Sequence, residues 1–461
     1  MKGTDSWSYA PYKPFFHETG EPYLCRLAPK ATGFRCEWLP SDKGSYVVHL
    51  RRRGQGTFER VFHTNETFAE ISNLEENCEY ECFVSCGDKK SRTRLIRTGR
   101  AVGTVVNYLH PEDKAYGFSG SALCSPSLLK LEDGSMLASM DVYESKAPQN
   151  LTLIFRSDDG GETWHYVTEL FPCFWGKLFL HKGHVYMLGV SSEYGDLLIG
   201  RSEDGGKTFG TPTVLLRGSC HFGYPGIHKN PQNVVLYQGR IYETLEWGCW
   251  ANGIGHAAMV MSCEENADLL DAENWHFTPP VPYNPEWPGT AVGKSTGNIE
   301  GTLVVFPDGK LYNVMRYGIG DAEPSYGLVL AYRVETKDPD APLVYSHTIG
   351  LPGNHSKFMI RQDPQSGRYY TIISRITSHE SRNNRNLLSL MVSENAENWK
   401  LVCDLIDCRQ EDPKMVGFQY VDFEFDDDDL IWLCRTAMNG ARNFHDANYS
   451  TFHRLKEFRA L

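Results

Sequence analysis

Ser157-Asp-Asp-Gly-Gly-Glu-Thr-Trp164 closes an apolar stretch, Leu151 to Phe155, and its pattern returns as Ser202-Glu-Asp-Gly-Gly-Lys-Thr-Phe209 after Leu197 to Ile199. Each residue type has a physical reason to be there. Asp bonds its own backbone two residues on, and Gly supplies the positive φ of a tight turn. The closing Trp or Phe then packs between neighbouring sheets. One copy would be a hairpin turn. Two copies about 45 residues apart indicate a repeated sheet unit.

Worn copies follow at Asp271-Ala-Glu-Asn-Trp275 and Ser393-Glu-Asn-Ala-Glu-Asn-Trp399. A second series of turns runs through the same region: Glu132-Asp-Gly134, Lys182-Gly183, Gln238-Gly239, Pro307-Asp-Gly309, Gln365-Ser-Gly367 and Asp426 to Asp429. Each separates two apolar runs, as in Leu303-Val-Val-Phe306 and Leu311-Tyr-Asn-Val314. Units of about 60 residues suit blades of four antiparallel strands, and helical periodicity is missing. The expectation is an all-β chain with a six-bladed β-propeller over 101–461. The four carboxylates of Asp426 to Asp429 fill the turn slot of the sixth unit and read as a solvated turn; no metal site is expected.

Residues 20–98 read as a separate β-sandwich, after an N-terminal segment 1–19. Arg35 to Trp38 and Tyr46 to Arg51 are strand-like, and Arg92 to Arg97 would close the sandwich. Leu74-Glu-Glu-Asn-Cys-Glu-Tyr80 resembles the tyrosine corner of a fibronectin type III domain, an immunoglobulin-like sandwich. Its expected role is that of a spacer. Cys78, Cys82 and Cys86 share a strand face with Tyr80 and Val84, which reads as buried thiols.

The chain of 461 residues carries a net charge of -12, which disfavours a nucleic-acid backbone as partner. No run approaches the ~20 apolar residues of a membrane span. Thirteen scattered cysteines without a Cys-x-x-Cys pair suggest a reducing, cytoplasmic setting. No signal-peptide core is seen, and no cofactor is implied.

In a propeller the first strand of each blade lines the channel, and ligands meet the face opposite the first-to-second-strand turns. Residues that enter first strands or leave second strands are therefore candidates. Entering are Ser125, Trp175, Lys177, His228, Lys229, Asn298, Glu300, His355, Lys357, Gln419, Tyr420 and Asp422. Leaving are Asp141, Glu144, Glu246, Trp247, Arg316, Tyr317, Arg375 and Arg435, with His445 and Tyr449 further along the same tail. Acids, bases and aromatics together suit a sugar site, because rings stack on sugars, guanidinium groups hold carboxylates and acids move protons.

The glycine-containing turns resemble the Asp-box of the sialidase superfamily, where that motif lies on the outer rim and takes no part in catalysis. The resemblance implies the six-bladed fold and a glycoside hydrolase. Glu300-Gly-Thr-Leu-Val-Val-Phe-Pro-Asp-Gly-Lys-Leu-Tyr-Asn-Val-Met-Arg316 resembles the blade that supplies a Glu paired with the nucleophile and an Arg for the substrate carboxylate. Tyr420-Val-Asp422-Phe resembles the segment carrying the nucleophilic Tyr. The chemistry is sound: a phenol with a pKa of ~10 needs a neighbouring carboxylate to take its proton.

Two departures set this chain apart. Cys124-Ser125-Pro126 stands where the family has an Arg, and no Asp lies near Trp175 to act as the acid. These departures argue against sialic acid as substrate. The assignment is an exo-acting hydrolase of a terminal, acidic sugar, with Tyr420, Glu300 and an acid among Asp141 or Glu246 as catalysts. Arg316, Arg375, Arg435, His355, Lys357, Trp175, His228, His445 and Tyr449 would bind the oligosaccharide. The alternatives are a polysaccharide lyase on a uronate, with His228, His355 and His445 as reagents, and a glycan-binding propeller without catalysis.

Overall fold

In the computed structural model residues 9, 12, 20–41, 44–145, 147–219 and 223–461 are described. Apart from Tyr9 and Tyr12, the expected N-terminal segment lies outside them. Among the described residues the elements are strands joined by turns, with three short 3-10 turns.

Six antiparallel sheets follow one another from Ala122 onward. The first runs Ala122–Lys130, Met136–Tyr143, Leu151–Ser157 and His165–Leu170, and the second starts at Phe174–His181. In the third, the inner strand is broken into Gly226–His228 and Val235–Tyr237, both paired with Arg240–Cys249. Gly297–Val305, Ile360–Gln362 and Gly417–Asp426 open the last three sheets. Thr104–Tyr108 pairs with Tyr449–Leu455 as the outer strand of the sixth sheet. An early strand thus closes the ring against the last one.

Both glycine-rich stretches adopt the same hydrogen-bonded turn between third and fourth strands. Ser157 Oγ accepts from Gly161 N at 2.9 Å, and Asp159 accepts from Thr163 N at 2.9 Å. Ser202 and Asp204 repeat these bonds to Gly206 N and Thr208 N, each at 2.9 Å. The aromatic residue is driven inward: Trp164 is fully buried, 5.4 Å from the Phe452 ring. An indole sealed in this way contributes a few kcal/mol of apolar burial, roughly. The six expected first-to-second-strand turns fall where the sequence places them. In the sixth, Asp426 is paired with Lys130 and Arg454.

Tyr23–Lys30, Gly33–Leu39 and Phe68–Ile71 form one sheet of an N-terminal sandwich, and Tyr46–Arg52, Arg60–Thr64, Glu79–Cys86 and Arg94–Arg97 lie in the other. The Tyr80 hydroxyl accepts from Glu75 N at 3.0 Å, which pins the corner between strands. The sandwich is fixed to the closing sheet. Arg26 donates to the carbonyls of Val106 and Val105, and buried Arg94 pairs with Asp113 at 2.6 Å.

Tyr449 belongs to this seam. Its ring is sealed 4.8 Å from that of Tyr108, inside the core shared with the sandwich. The expectation that it binds substrate is therefore corrected: an apolar interface, not a ligand site, holds it.

Candidate active site

Four inner strands carry the same irregularity. The register slips between Cys124 and Ser127, Phe174 and Lys177, Ile299 and Gly301, and Gln419 and Asp422. At each bulge one residue takes a positive φ: Ser125 49°, Trp175 50°, Glu300 53° and Tyr420 55°. Such a backbone costs on the order of 1–3 kcal/mol for a residue with a Cβ, and it re-aims a side chain out of the ladder. Glu300 and Tyr420, the two residues expected to do chemistry, are both turned this way.

They meet on one guanidinium. Arg316 Nη1 donates to Glu300 Oε2 at 2.5 Å and to the Tyr420 hydroxyl at 3.2 Å. Burial opposes charge on Glu300, but Arg316, His228 and the hydrogen bond with Tyr420 prevail and hold its carboxyl below the usual range. Tyr420 moves the other way: burial and Glu300 raise its pKa against the pull of Arg316, Arg385 and Arg435. The resting pair is thus a neutral phenol beside a carboxylate.

Arg385 and Arg435 complete the surroundings of Tyr420. Their guanidinium carbons lie 6.0 and 5.1 Å from the centre of its ring. Arg385 donates to the side chain of Gln419 and, at 2.8 Å, to His355 O. Arg435 donates to His445 O and faces the Tyr143 ring at 5.4 Å. Among the described residues neither has a carboxylate partner. Burial pushes the Arg385 guanidinium down to about 10, and Arg316 and Arg435 add to that pressure. Arg435 also acts on the Cys124 thiol. A guanidinium from the sixth sheet therefore stands beside the position where the sequence lacks one.

Arg375 is not part of this group. It bonds Ser389 at 2.9 Å and Asp404 at 2.7 Å, on the third and outer strands of its sheet. The sequence reading is corrected to Arg385, which precedes the third strand of the same sheet.

Asp141 and Glu246 are also reassigned. Both are fully buried. Asp141 accepts from Thr152 Oγ1 at 2.5 Å and from Trp175 N at 2.7 Å. Glu246 accepts from Gly301 N at 3.2 Å and holds His228 Nδ1 at 2.6 Å. Each carboxyl caps the bulge of the following sheet, so neither faces a leaving group. Lys357 is likewise sealed in the channel wall, with its amine near Val421 O, and burial lowers it to about 7. It lies beneath the site beside the Lys177–Asp422 and Lys229–Glu243 ion pairs, each 2.5 Å long.

The other expected binders are at the mouth. The rings of Trp175 and His228 lie 4.4 Å apart, and His256 stands 4.5 Å beyond. Trp250 covers His256 at 4.6 Å with half its surface exposed. His355 feels the charge of Arg316, and His445 is pushed down to about 4 by burial and Arg435. Sequence reasoning missed Arg385, Glu193, Tyr194, Trp250 and His256. Arg385, Glu193, Tyr194 and Trp250 sit on segments that lead into third strands, and His256 is the second residue of one, Gly255–Glu264.

The comparisons with known proteins bear on this geometry. No family model matches the chain, and no curated protein matches it. Solved structures do. An α-L-arabinanase of Penicillium chrysogenum in complex with arabinobiose is 14% identical, over 78% of this chain and 99% of that one, with a TM-score of 0.51. A Hadza microbial sialidase is 11% identical over 97% and 98% of the two chains, TM-score 0.51. A leech intramolecular trans-sialidase complexed with 2,7-anhydro-Neu5Ac is 11% identical over 97% and 93%, TM-score 0.51. The fold is the sialidase-type β-propeller. At such identities the likeness is one of fold, and the propeller's chemistry rests on its own residues.

Proposed function

We propose that this propeller is an exo-acting, retaining glycoside hydrolase that removes a terminal acidic sugar. The observation that carries the reading is the convergence of Glu300 and Tyr420 on Arg316 Nη1. Tyr420 attacks the anomeric carbon as its proton passes to Glu300, and water later releases the glycosyl group from the phenol oxygen. A phenol kept neutral until that moment does not repel an anionic substrate.

The charge of the sugar follows from Arg385 and Arg435. Guanidinium groups withdrawn from water need partners, and buried Arg435 and half-buried Arg385 have none of opposite charge among the described residues. A substrate carboxylate would supply it. A uronate is the first choice and sialic acid the second. That the structural neighbours include arabinanases and sialidases supports a hydrolase on this fold.

The test is turnover of 4-methylumbelliferyl glycosides of glucuronic, galacturonic and N-acetylneuraminic acids beside neutral arabinofuranosides. Faster release from an acidic sugar is the expected result. Faster release from a neutral one removes the acidic-substrate reading. An unsaturated uronate product, seen by its ultraviolet absorbance, would mean a lyase.

A further inference from the structure

A retaining hydrolase needs a second group that protonates the leaving oxygen and then activates water. Asp141 and Glu246 are sealed behind the bulges. Of the other acids near the mouth, Glu144 is paired with Arg442 at 3.3 Å, Asp446 with His445 at 2.9 Å, and Glu300 with Arg316. Glu193 differs. Its one hydrogen bond among the described residues comes from a neutral amide, Gln149 Nε2, at 2.8 Å.

Glu193 sits on the segment between His184–Val190 and Leu197–Ser202; the next residue, Tyr194, is bridged to Ile227 and has its ring 6.3 Å from that of Trp175 and 6.2 Å from that of His228. Glu193 is half-buried, so its proton can exchange with a ligand or with water. We propose that Glu193 is the general acid/base of the hydrolase proposed above, on which this inference rests.

Three features fit the role. Burial lifts the Glu193 carboxyl above the usual range, against the opposing influence of His228 and the Gln149 bond. Glu300 is shifted the opposite way, and two carboxyls pushed apart in this manner divide into proton donor and base. Gln149 is itself buried at a positive φ of 52°, with its Oε1 sealed and unpartnered. Rotating that amide would let Oε1 accept the proton of a neutral Glu193, so the clamp suits both protonation states. The titratable groups facing Glu193 are His228, Tyr143 and Tyr194; behind His228 stand Glu246, His256 and Glu300.

In the first step the bond from the anomeric carbon to the leaving oxygen breaks, and its electron pair stays on that oxygen. The oxygen takes the Glu193 proton while the Tyr420 oxygen bonds to carbon and its proton moves to Glu300. In the second step water bonds to carbon and gives a proton to Glu193, and the departing Tyr420 oxygen recovers its proton from Glu300. One water is consumed, and both carboxyls return to their starting state.

The experiment compares 2,4-dinitrophenyl and methyl glycosides of whichever sugar the wild type hydrolyses, with Glu193→Gln and His228→Gln. A dinitrophenolate leaves without protonation and a methoxide does not. Glu193→Gln is expected to lose about a hundredfold or more in kcat/KM on the methyl glycoside but little in kcat/KM on the dinitrophenyl one, where only the later water step slows, and to lose the alkaline limb of the pH profile of kcat/KM on the methyl glycoside. In protein labelled with 13C at the glutamate carboxyl carbon, one titration above the usual glutamate range should vanish in the same variant. Equal losses on both substrates, an unchanged alkaline limb, an unchanged carboxyl titration, or the leaving-group pattern in His228→Gln instead would each overturn the assignment while leaving the hydrolase reading standing. A wild type inert on every glycoside overturns both.

Discussion

Glu300 and Tyr420 come from different sheets, yet both rest on Arg316 Nη1, at 2.5 and 3.2 Å. Their side chains reach each other because both residues sit at bulges with positive φ. Two strained backbones aimed at one point indicate a site whose geometry is maintained at a cost in stability.

Tyr420→Phe removes the nucleophilic oxygen but keeps the ring under Arg435. It should lower kcat by roughly 10^3-fold or more while a product sugar binds near its wild-type affinity. Glu300→Gln should act similarly, since the amide cannot take the phenol proton. Rapid-quench turnover and calorimetric binding of the sugar separate the two effects. A Phe variant near wild-type rate would remove Tyr420 from the chemistry.

Arg385 and Arg375 offer a matched pair. Arg385→Ala should cost roughly 2–4 kcal/mol in kcat/KM on an acidic glycoside, because it strips a half-buried partner from the carboxylate. Arg375→Ala should leave kcat/KM unchanged and lower stability by about 1 kcal/mol or less, since its Asp404 pair is partly exposed. Steady-state kinetics on both variants settles it: equal losses would show that Arg375 does contact substrate.

The fold was legible because its punctuation is local. Asp-Gly turns and Ser-x-Asp-x-Gly-x-Thr turns bond within themselves, so their residue types record the turn directly. Glu300 and Tyr420 were legible because they occupy the bulge slot six or seven residues before such a turn, as do Ser125 and Trp175. The rest depends on direction. A side chain leaving a second strand can turn to the mouth, as Arg435 does, or to the outer strands, as Arg375 does, and the sequence does not record which. Asp141 and Glu246 read as catalytic because a carboxyl at a strand end has the same letter whether it faces solvent or caps a neighbour's N–H. Thr104–Tyr108 carries no sign that it pairs more than 300 residues later with Tyr449–Leu455.

Gly301 shows how closely the Glu300 bulge is packed. A Cβ there would lie 2.1 Å from Asn313 Oδ1 and 2.6 Å from Thr244 Oγ1. Gly301→Ala should therefore destabilise the fold by about 1–3 kcal/mol and displace Glu300, lowering kcat as well. Gly309, at a φ of 73° with open space around it, is the control: its Ala variant should lose about 1 kcal/mol and keep full activity. Urea unfolding and turnover are the measurements. Normal activity in Gly301→Ala would mean that the bulge does not position Glu300.

Asp141 ties the bulges to pH. Burial lifts its carboxyl to about 7, against its bonds from Thr152, Ser125 and the Trp175 and Gly176 amides. The sign follows from proton counting. Between about pH 4 and 7 the folded chain keeps a proton that the unfolded chain has released, so this group makes stability fall as the pH rises, and the loss is complete above about 7. Its size is on the order of 4 kcal/mol at full ionisation. Asp141→Asn keeps an acceptor for Trp175 N but cannot ionise, so the variant should gain on the wild type from about pH 4 to about 7 and level off above that. Urea unfolding of both proteins across that range checks it. If the two stability curves run parallel, Asp141 is ionised in the folded chain already at low pH, and the cap on the Trp175 bulge is a carboxylate.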